Sequence, residues 1–153
     1  MSEPAPELLP CLARLAANLR ALRAESNWTS SALADQAHVS RRMLQLLEMG
    51  KVNVSLGTVD KLARALGVTT GSLLGKRPAA RQASATSIEQ VLASNLQSAR
   101  KERQMTQEAL AQRSGISRPV IAHIERQARN PSLQTLARLA AALDLSVEGL
   151  LSR

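Results

Sequence analysis

Sliding the chain against itself by 77 residues produces a gapless match, and this internal repeat constrains the fold more than any other feature. Asn18-Leu19 falls on Asn95-Leu96, Arg23 on Arg100, and Thr29 on Thr106. Ala32-Leu33-Ala34 falls on Ala109-Leu110-Ala111, Ser40-Arg41 on Ser117-Arg118, and Glu48 on Glu125. Asn53, Ser55-Leu56, Leu62-Ala63 and Leu73-Leu74 also find their equals. Across positions 18–74, 21 of 57 residues are identical. A match without insertions requires one fold written twice with equal loop lengths. The stretch GKRPAARQASAT, Gly75 to Thr86, is small, polar and basic, and reads as a linker. The division is then a tail (1–10), copy 1 (11–75), a linker (76–86) and copy 2 (87–153). Units this small bury only about 60% of the surface their unfolded chains expose, so each gains from contact with the other or with a second chain.

Composition decides what each unit is made of. Hydrophobic residues make up 44% of the chain, yet Trp28 is its one aromatic. A core of Leu, Ala, Val, Ile and Met favours helices over sheets. One cysteine allows neither an internal disulfide nor a Cys-based zinc site. No apolar run approaches the roughly 18 residues that span a bilayer. The start MSEPAPELLPCLARL lacks a basic n-region, so it does not read as a signal peptide and a cytoplasmic location is expected. The net charge of +8 points to a polyanion. Readers of single strands stack bases on aromatic rings, which are missing here, so duplex DNA is the better match.

Periodicity and caps give five helices per copy and no strand. In copy 2, Ser87 and Gln90 form a capping box ahead of a helix with Ile88, Val91, Leu92, Leu96 and Ala99 on one face. Thr106 caps helix 2, whose core face is Ala109, Leu110 and Ala111. Ser114-Gly115-Ile116 is a turn, and Ser117 caps helix 3, with Pro119 tolerated in its first turn. Ser132 and Ser146 cap helices 4 and 5. Copy 1 runs in parallel, with caps at Thr29, Ser40 and Ser55, and Trp28 (matching Met105) packed under helix 2.

Helix 2, a tight turn and helix 3 make a helix-turn-helix. The segment TQEALAQRSGISRPVIAHIERQARNPSLQTLARLAAALDLS, Thr106 to Ser146, resembles the DNA-binding domain of the lambda-repressor-like (Cro/repressor, xenobiotic-response-element) family. The resemblance rests on Thr-Gln opening helix 2, Gly in the turn, and Ser opening helix 3 with Glu eight residues later. It rests also on Asn-Pro-Ser and Leu-x-x-Leu-Ala-x-Ala-Leu at helix 4. It implies an all-α fold of two tandem five-helix domains that bind specific duplex sequences. It further implies an ion pair from helix 1 to the end of helix 3, Arg100 with Glu125, repeated as Arg23 with Glu48.

In such docking, helix 3 enters the major groove and helix 2 crosses the backbone. The candidate DNA-facing residues of copy 2 follow from that arrangement. Thr106 and Gln107 begin helix 2, where the amide of Gln107 and free backbone N–H groups can meet a phosphate. Ser117 can also reach a phosphate. Arg118, Pro119, Ala122 and His123 face outward on helix 3, with Arg118 suited to guanine. The resemblance places base contacts mostly at Arg118, Pro119 and His123, and backbone contacts at Arg126, Arg129 and Asn130. His123 has no second ligand at metal spacing, so no metal is expected.

Copy 1 keeps the scaffold and changes the working surface. Ser30 stands where copy 2 has Gln107, and His38 replaces the turn glycine. Helix 3 begins at Ser40 and presents Arg41, Arg42, Gln45 and Leu46, followed by Lys51. Leu46, Met49, Val52 and Val54 are expected to form an exposed apolar patch, which often marks a protein contact. Two readings stay open: copy 1 reads a second half-site, or it serves dimerisation or partner binding.

The function expected is a sequence-specific regulator of transcription, a repressor rather than an activator, with no sensing domain after Arg153 and no cofactor. Either one chain mimics a two-fold dimer, with recognition helices about 34 Å apart, or two chains pair; a homodimer through helix 5 (Leu150, Leu151) is the favoured expectation. The competing class is an antitoxin or antiactivator gripping a protein through copy 1. An enzyme is disfavoured because no nucleophile–base pair stands out. Membrane-surface binding is disfavoured because the polar helix faces mix signs. Bulk charge does not rank the copies, since each side of residue 77 carries ten basic and six acidic residues.

Overall fold

A computed structural model describes residues 8–152. Among the described residues, ten helices run in two sets of five. Copy 1 holds α1 (Leu8–Glu25), α2 (Ser30–Ala37), α3 (Arg41–Glu48), α4 (Leu56–Leu66) and α5 (Thr70–Leu73). Copy 2 holds α6 (Ile88–Glu102), α7 (Gln107–Ser114), α8 (Arg118–Glu125), α9 (Leu133–Ala142) and α10 (Val147–Leu151). No β-strand forms among the described residues; there are two isolated bridges, Ser55 with Ser132 and Val68 with Ala80. Helix α1 starts three residues inside the expected tail, because Pro10 lies in its first turn, where a missing N–H is harmless. The rest of that tail, residues 1–7, lies outside the described residues.

The caps act where the sequence puts them, with one exception. Thr29, Ser40 and Ser55 accept from Ala32, Met43 and Thr58, and Thr106, Ser132 and Ser146 accept from Ala109, Thr135 and Gly149. The Ser87–Gln90 capping box forms in both directions. Ser117 has the extended cap backbone, but its hydroxyl makes no bond to α8. Pro119 at the second helical position removes one of the two N–H groups a cap can use. His38 ends α2 in the left-handed region (φ 57°), the conformation Gly115 takes at the end of α7 (φ 73°). Left-handed positions recur at the repeat interval, with Asn27 matching Gln104 and Gly50 matching Gln127.

One continuous apolar core runs through both copies. Leu15, Leu19, Leu33, Leu44 and Leu62 are fully buried in copy 1, and Leu96, Leu110, Ile121, Leu136 and Leu139 in copy 2. Trp28 and Met105 pack at the edge of this core. Helix 2 of copy 2 buries only Leu110 fully; Ala109 and Ala111 are half-buried.

Two expectations about apolar side chains are corrected here. Leu150 and Leu151, expected at a surface between two chains, are buried, since α10 packs on α5 of copy 1 as well as on α6 and α9. A Cβ on Gly71 would lie 3.1 Å from the Leu151 carbonyl oxygen, so glycine permits this approach. Val54 is buried and Val52 packs against the core, which reduces the apolar patch of copy 1 to Met49 and half-exposed Leu46. The linker pairs with copy 1. Thr69 N donates to Ala79 O at 2.9 Å, Arg81 N to Gly67 O at 2.8 Å, and Ala79 N to Ser72 Oγ at 2.8 Å. Arg81 Nη2 reaches both Thr70 Oγ1 (3.0 Å) and Asp60 Oδ1 (3.3 Å).

The docking is two-fold in form. Leu56 N donates to Pro131 O and Leu133 N to Val54 O, each at 2.8 Å. Gly57 N donates to Asn130 Oδ1 at 2.8 Å, and Gln134 N to Asn53 Oδ1 at 3.1 Å. In both pairs the second bond is the first with donor and acceptor exchanged between copies, the rule that isologous interfaces of symmetric dimers obey.

Candidate nucleic-acid interface

The recognition helices α3 and α8 are held by the same device. Arg100 Nε donates to Glu125 Oε1 at 2.8 Å and Nη2 to Oε2 at 3.4 Å, while Nη1 donates to Met105 O at 2.8 Å. In copy 1, Arg23 repeats this with Glu48 at 2.8 and 3.2 Å and with Trp28 O at 3.1 Å. A two-pronged guanidinium–carboxylate contact fixes both distance and orientation. The C-terminal end of helix 3 is thereby locked to helix 1 and to the loop before helix 2.

The copies differ in how that lock is closed. Gln107 Nε2 donates to Glu125 Oε2 at 2.6 Å, so its amide nitrogen, expected at a phosphate, is engaged inside the protein. Ser30 is too short for such a bond. In copy 1, Arg20 instead donates to the Glu48 backbone oxygen, a cation at the negative end of α3; Gln97 makes the matching bond to Glu125 O at 3.3 Å. The Glu125 side chain is only 4% exposed, against 11% for Glu48.

What remains outward is the candidate surface. Arg118 and Pro119 are exposed at the start of α8, Ala122 and His123 are half-buried behind them, and Arg126 and Arg129 are exposed after it. Thr106 and Ser117 are exposed at the starts of α7 and α8. An open notch of about 380 Å³ lies between α6, α7 and α8, lined by Gln97, Gln107, Arg118, Pro119, Ala122, Glu125 and Arg126. On copy 1, Ser40, Arg41, Arg42 and Gln45 are exposed along α3, and Lys51 follows. Arg41, Arg42 and Arg118 are in no ion pair among the described residues. Asn130, expected at the DNA backbone, bonds across the seam to Gly57. The seam asparagines and the Arg20 and Gln97 braces went unread in the sequence; the polar identity Asn53/Asn130 was the available signal.

A helix-turn-helix pair with an arginine exposed at the head of each recognition helix, backed by a buried lock, defines a DNA-binding transcription regulator. The chain belongs to the helix-turn-helix (HTH_3) family, which matches it twice, over residues 19–73 and 96–150. It is 46% identical over 66 residues to control protein C.SmaI of Serratia marcescens, covering 43% of this chain and 79% of that one. It is 47% identical over 51 residues to the immunity repressor protein of Bacillus phage phi105, covering 33% of this chain and 35% of that protein. Among solved structures, hypothetical transcription factor NHTF from Neisseria aligns over 48% of this chain and 84% of its own, with 32% identity and a TM-score of 0.42.

Proposed function

We propose that one chain grips duplex DNA with both copies and represses transcription by occupying a promoter. The observation that carries this reading is the two-fold seam, which relates α3 and α8 as two chains of a dimer would be related. The leucines expected to recruit a second chain are consumed inside the first, which favours a monomer. On copy 2, Arg118 reads a base edge with Pro119, Ala122 and His123 beside it, while Thr106, Ser117, Arg126 and Arg129 meet phosphates. Gln107 acts through Glu125, as a positioning residue. On copy 1, Arg41, Arg42 and Gln45 read the groove, and Ser40 and Lys51 meet the backbone. No cluster of His, Cys, Asp or Glu that could hold a metal ion gathers among the described residues. No helix among them is long and apolar enough to cross a membrane.

The test is in-vitro selection of bound duplexes followed by affinity measurement with Arg118→Ala and Arg41→Ala/Arg42→Ala. Each variant is expected to lose about 1–3 kcal/mol per base contact and to relax preference at its own half-site alone. An Arg41→Ala/Arg42→Ala protein with unchanged sites and affinity would leave copy 1 as a partner-binding module.

A further inference from the structure

We infer that the target is a non-palindromic duplex whose two half-sites differ, read by one chain in a single orientation. The inference rests on the DNA-binding reading above and deepens it.

A homodimer must present the same side chains twice, so its two-fold axis forces a palindrome on the DNA. Here the two-fold lies in the seam, in backbone groups and two asparagines. The exchanged bonds at Leu56 and Leu133, and at Asn53 and Asn130, give the scaffold dimer-like symmetry. Each recognition helix ends six residues before the seam, α3 at Glu48 ahead of Val54 and α8 at Glu125 ahead of Pro131. Six residues reach at most about 20 Å. The two arms together reach at most about 40 Å, which is compatible with α3 and α8 one helical turn apart, about 34 Å.

The side chains break the symmetry. Of the outward positions, only the first is shared, Arg41 on α3 and Arg118 on α8. Beyond it Arg42 faces Pro119, Gln45 faces Ala122, and Leu46 faces His123 at equivalent places. Arginine pairs with guanine through O6 and N7, glutamine with adenine through N6 and N7, and an alanine or other apolar side chain packs on a thymine methyl. Each half-site thus carries a guanine at the symmetric position for the shared arginine. Around it, the copy-1 arm carries an adenine for Gln45, and the copy-2 arm lacks that demand.

The experiment is selection of duplexes from a random pool with the full chain, with sedimentation of the complex to count chains. The expected result is one chain per duplex and a consensus of two unlike arms about one turn apart, with guanines symmetrically placed. Duplexes rebuilt with either arm used twice should bind about tenfold more weakly or worse. A palindromic consensus, a single arm, or equal binding of the rebuilt duplexes would overturn the inference and leave DNA binding intact. No enrichment at all would overturn the underlying reading. Arg42→Pro/Gln45→Ala/Leu46→His gives α3 the outward residues of α8, with proline in the first turn where it is tolerated. Its consensus should become the copy-2 arm in palindromic form, and an unchanged consensus contradicts the account. Should that variant fail to fold, the rebuilt duplexes with the unaltered chain decide.

Discussion

Glu125, at the end of α8, is the residue through which copy 2 is assembled, since α6 and α7 both bond to its carboxylate and α6 also to its carbonyl. A carboxylate this buried is stabilising only while its cation stays in place, and breaking such a pair costs about 3 kcal/mol. Glu125→Gln is expected to lower the melting temperature and weaken DNA binding together, since α8 loses its fixed orientation. Glu48→Gln should cost less, on the order of 1–2 kcal/mol, because Arg23 is 26% exposed and no counterpart of Gln107 is present. Thermal melts and binding isotherms of the two variants check this. Weakened binding with an unaltered melt for Glu125→Gln would remove the structural role. The arginine–glutamate pairs were legible because the repeat preserved both members. The role of Asn130 was not, because a polar loop residue looks the same in sequence whether it faces a phosphate or the other copy.

At the scale of elements, the linker carries information that its composition hides. Its partners Asp60 and Thr70 sit on α4 and α5, and the copy-2 positions matching them are Ala137 and Val147. The network therefore has no repeat partner to reveal it. Burial pushes the Asp60 carboxyl up, but hydrogen bonds from Arg64 and Thr70 and the charges of Arg64 and Arg81 outweigh burial and hold it below its ordinary value. A depressed carboxylate contributes stability above its unfolded pKa of about 3.9 and loses it as pH falls through the folded value. Asp60→Asn should thus be less stable than the parent near neutrality, with the difference vanishing as pH drops below about 4. The same variant should speed amide exchange at Thr69 and Arg81, whose N–H groups pair the linker to copy 1. Equal slopes of stability against pH in parent and variant would remove Asp60 from this role. The helices themselves were legible, because caps and leucine spacing act locally. The fate of Leu150 and Leu151 was not, because an apolar helix end is equally suited to a second chain or to the other half of its own.

For the whole molecule, symmetry of scaffold and asymmetry of surface coexist because they reside in different residues. The seam uses backbone groups and two asparagines, whereas the proposed reading uses the outward side chains of α3 and α8. The repeat that opened the sequence is thus an intramolecular pseudo-dimer, with a core continuous across both halves. The most direct measurement is protection of guanine N7 from methylation in a complex titrated to equivalence. The account predicts saturation at one chain per duplex, with protected guanines in two successive major grooves about 10 base pairs apart. Arg118→Ala should lift protection in one groove and Arg41→Ala in the other. Protection of a single groove, or saturation only at two chains per duplex, would contradict it.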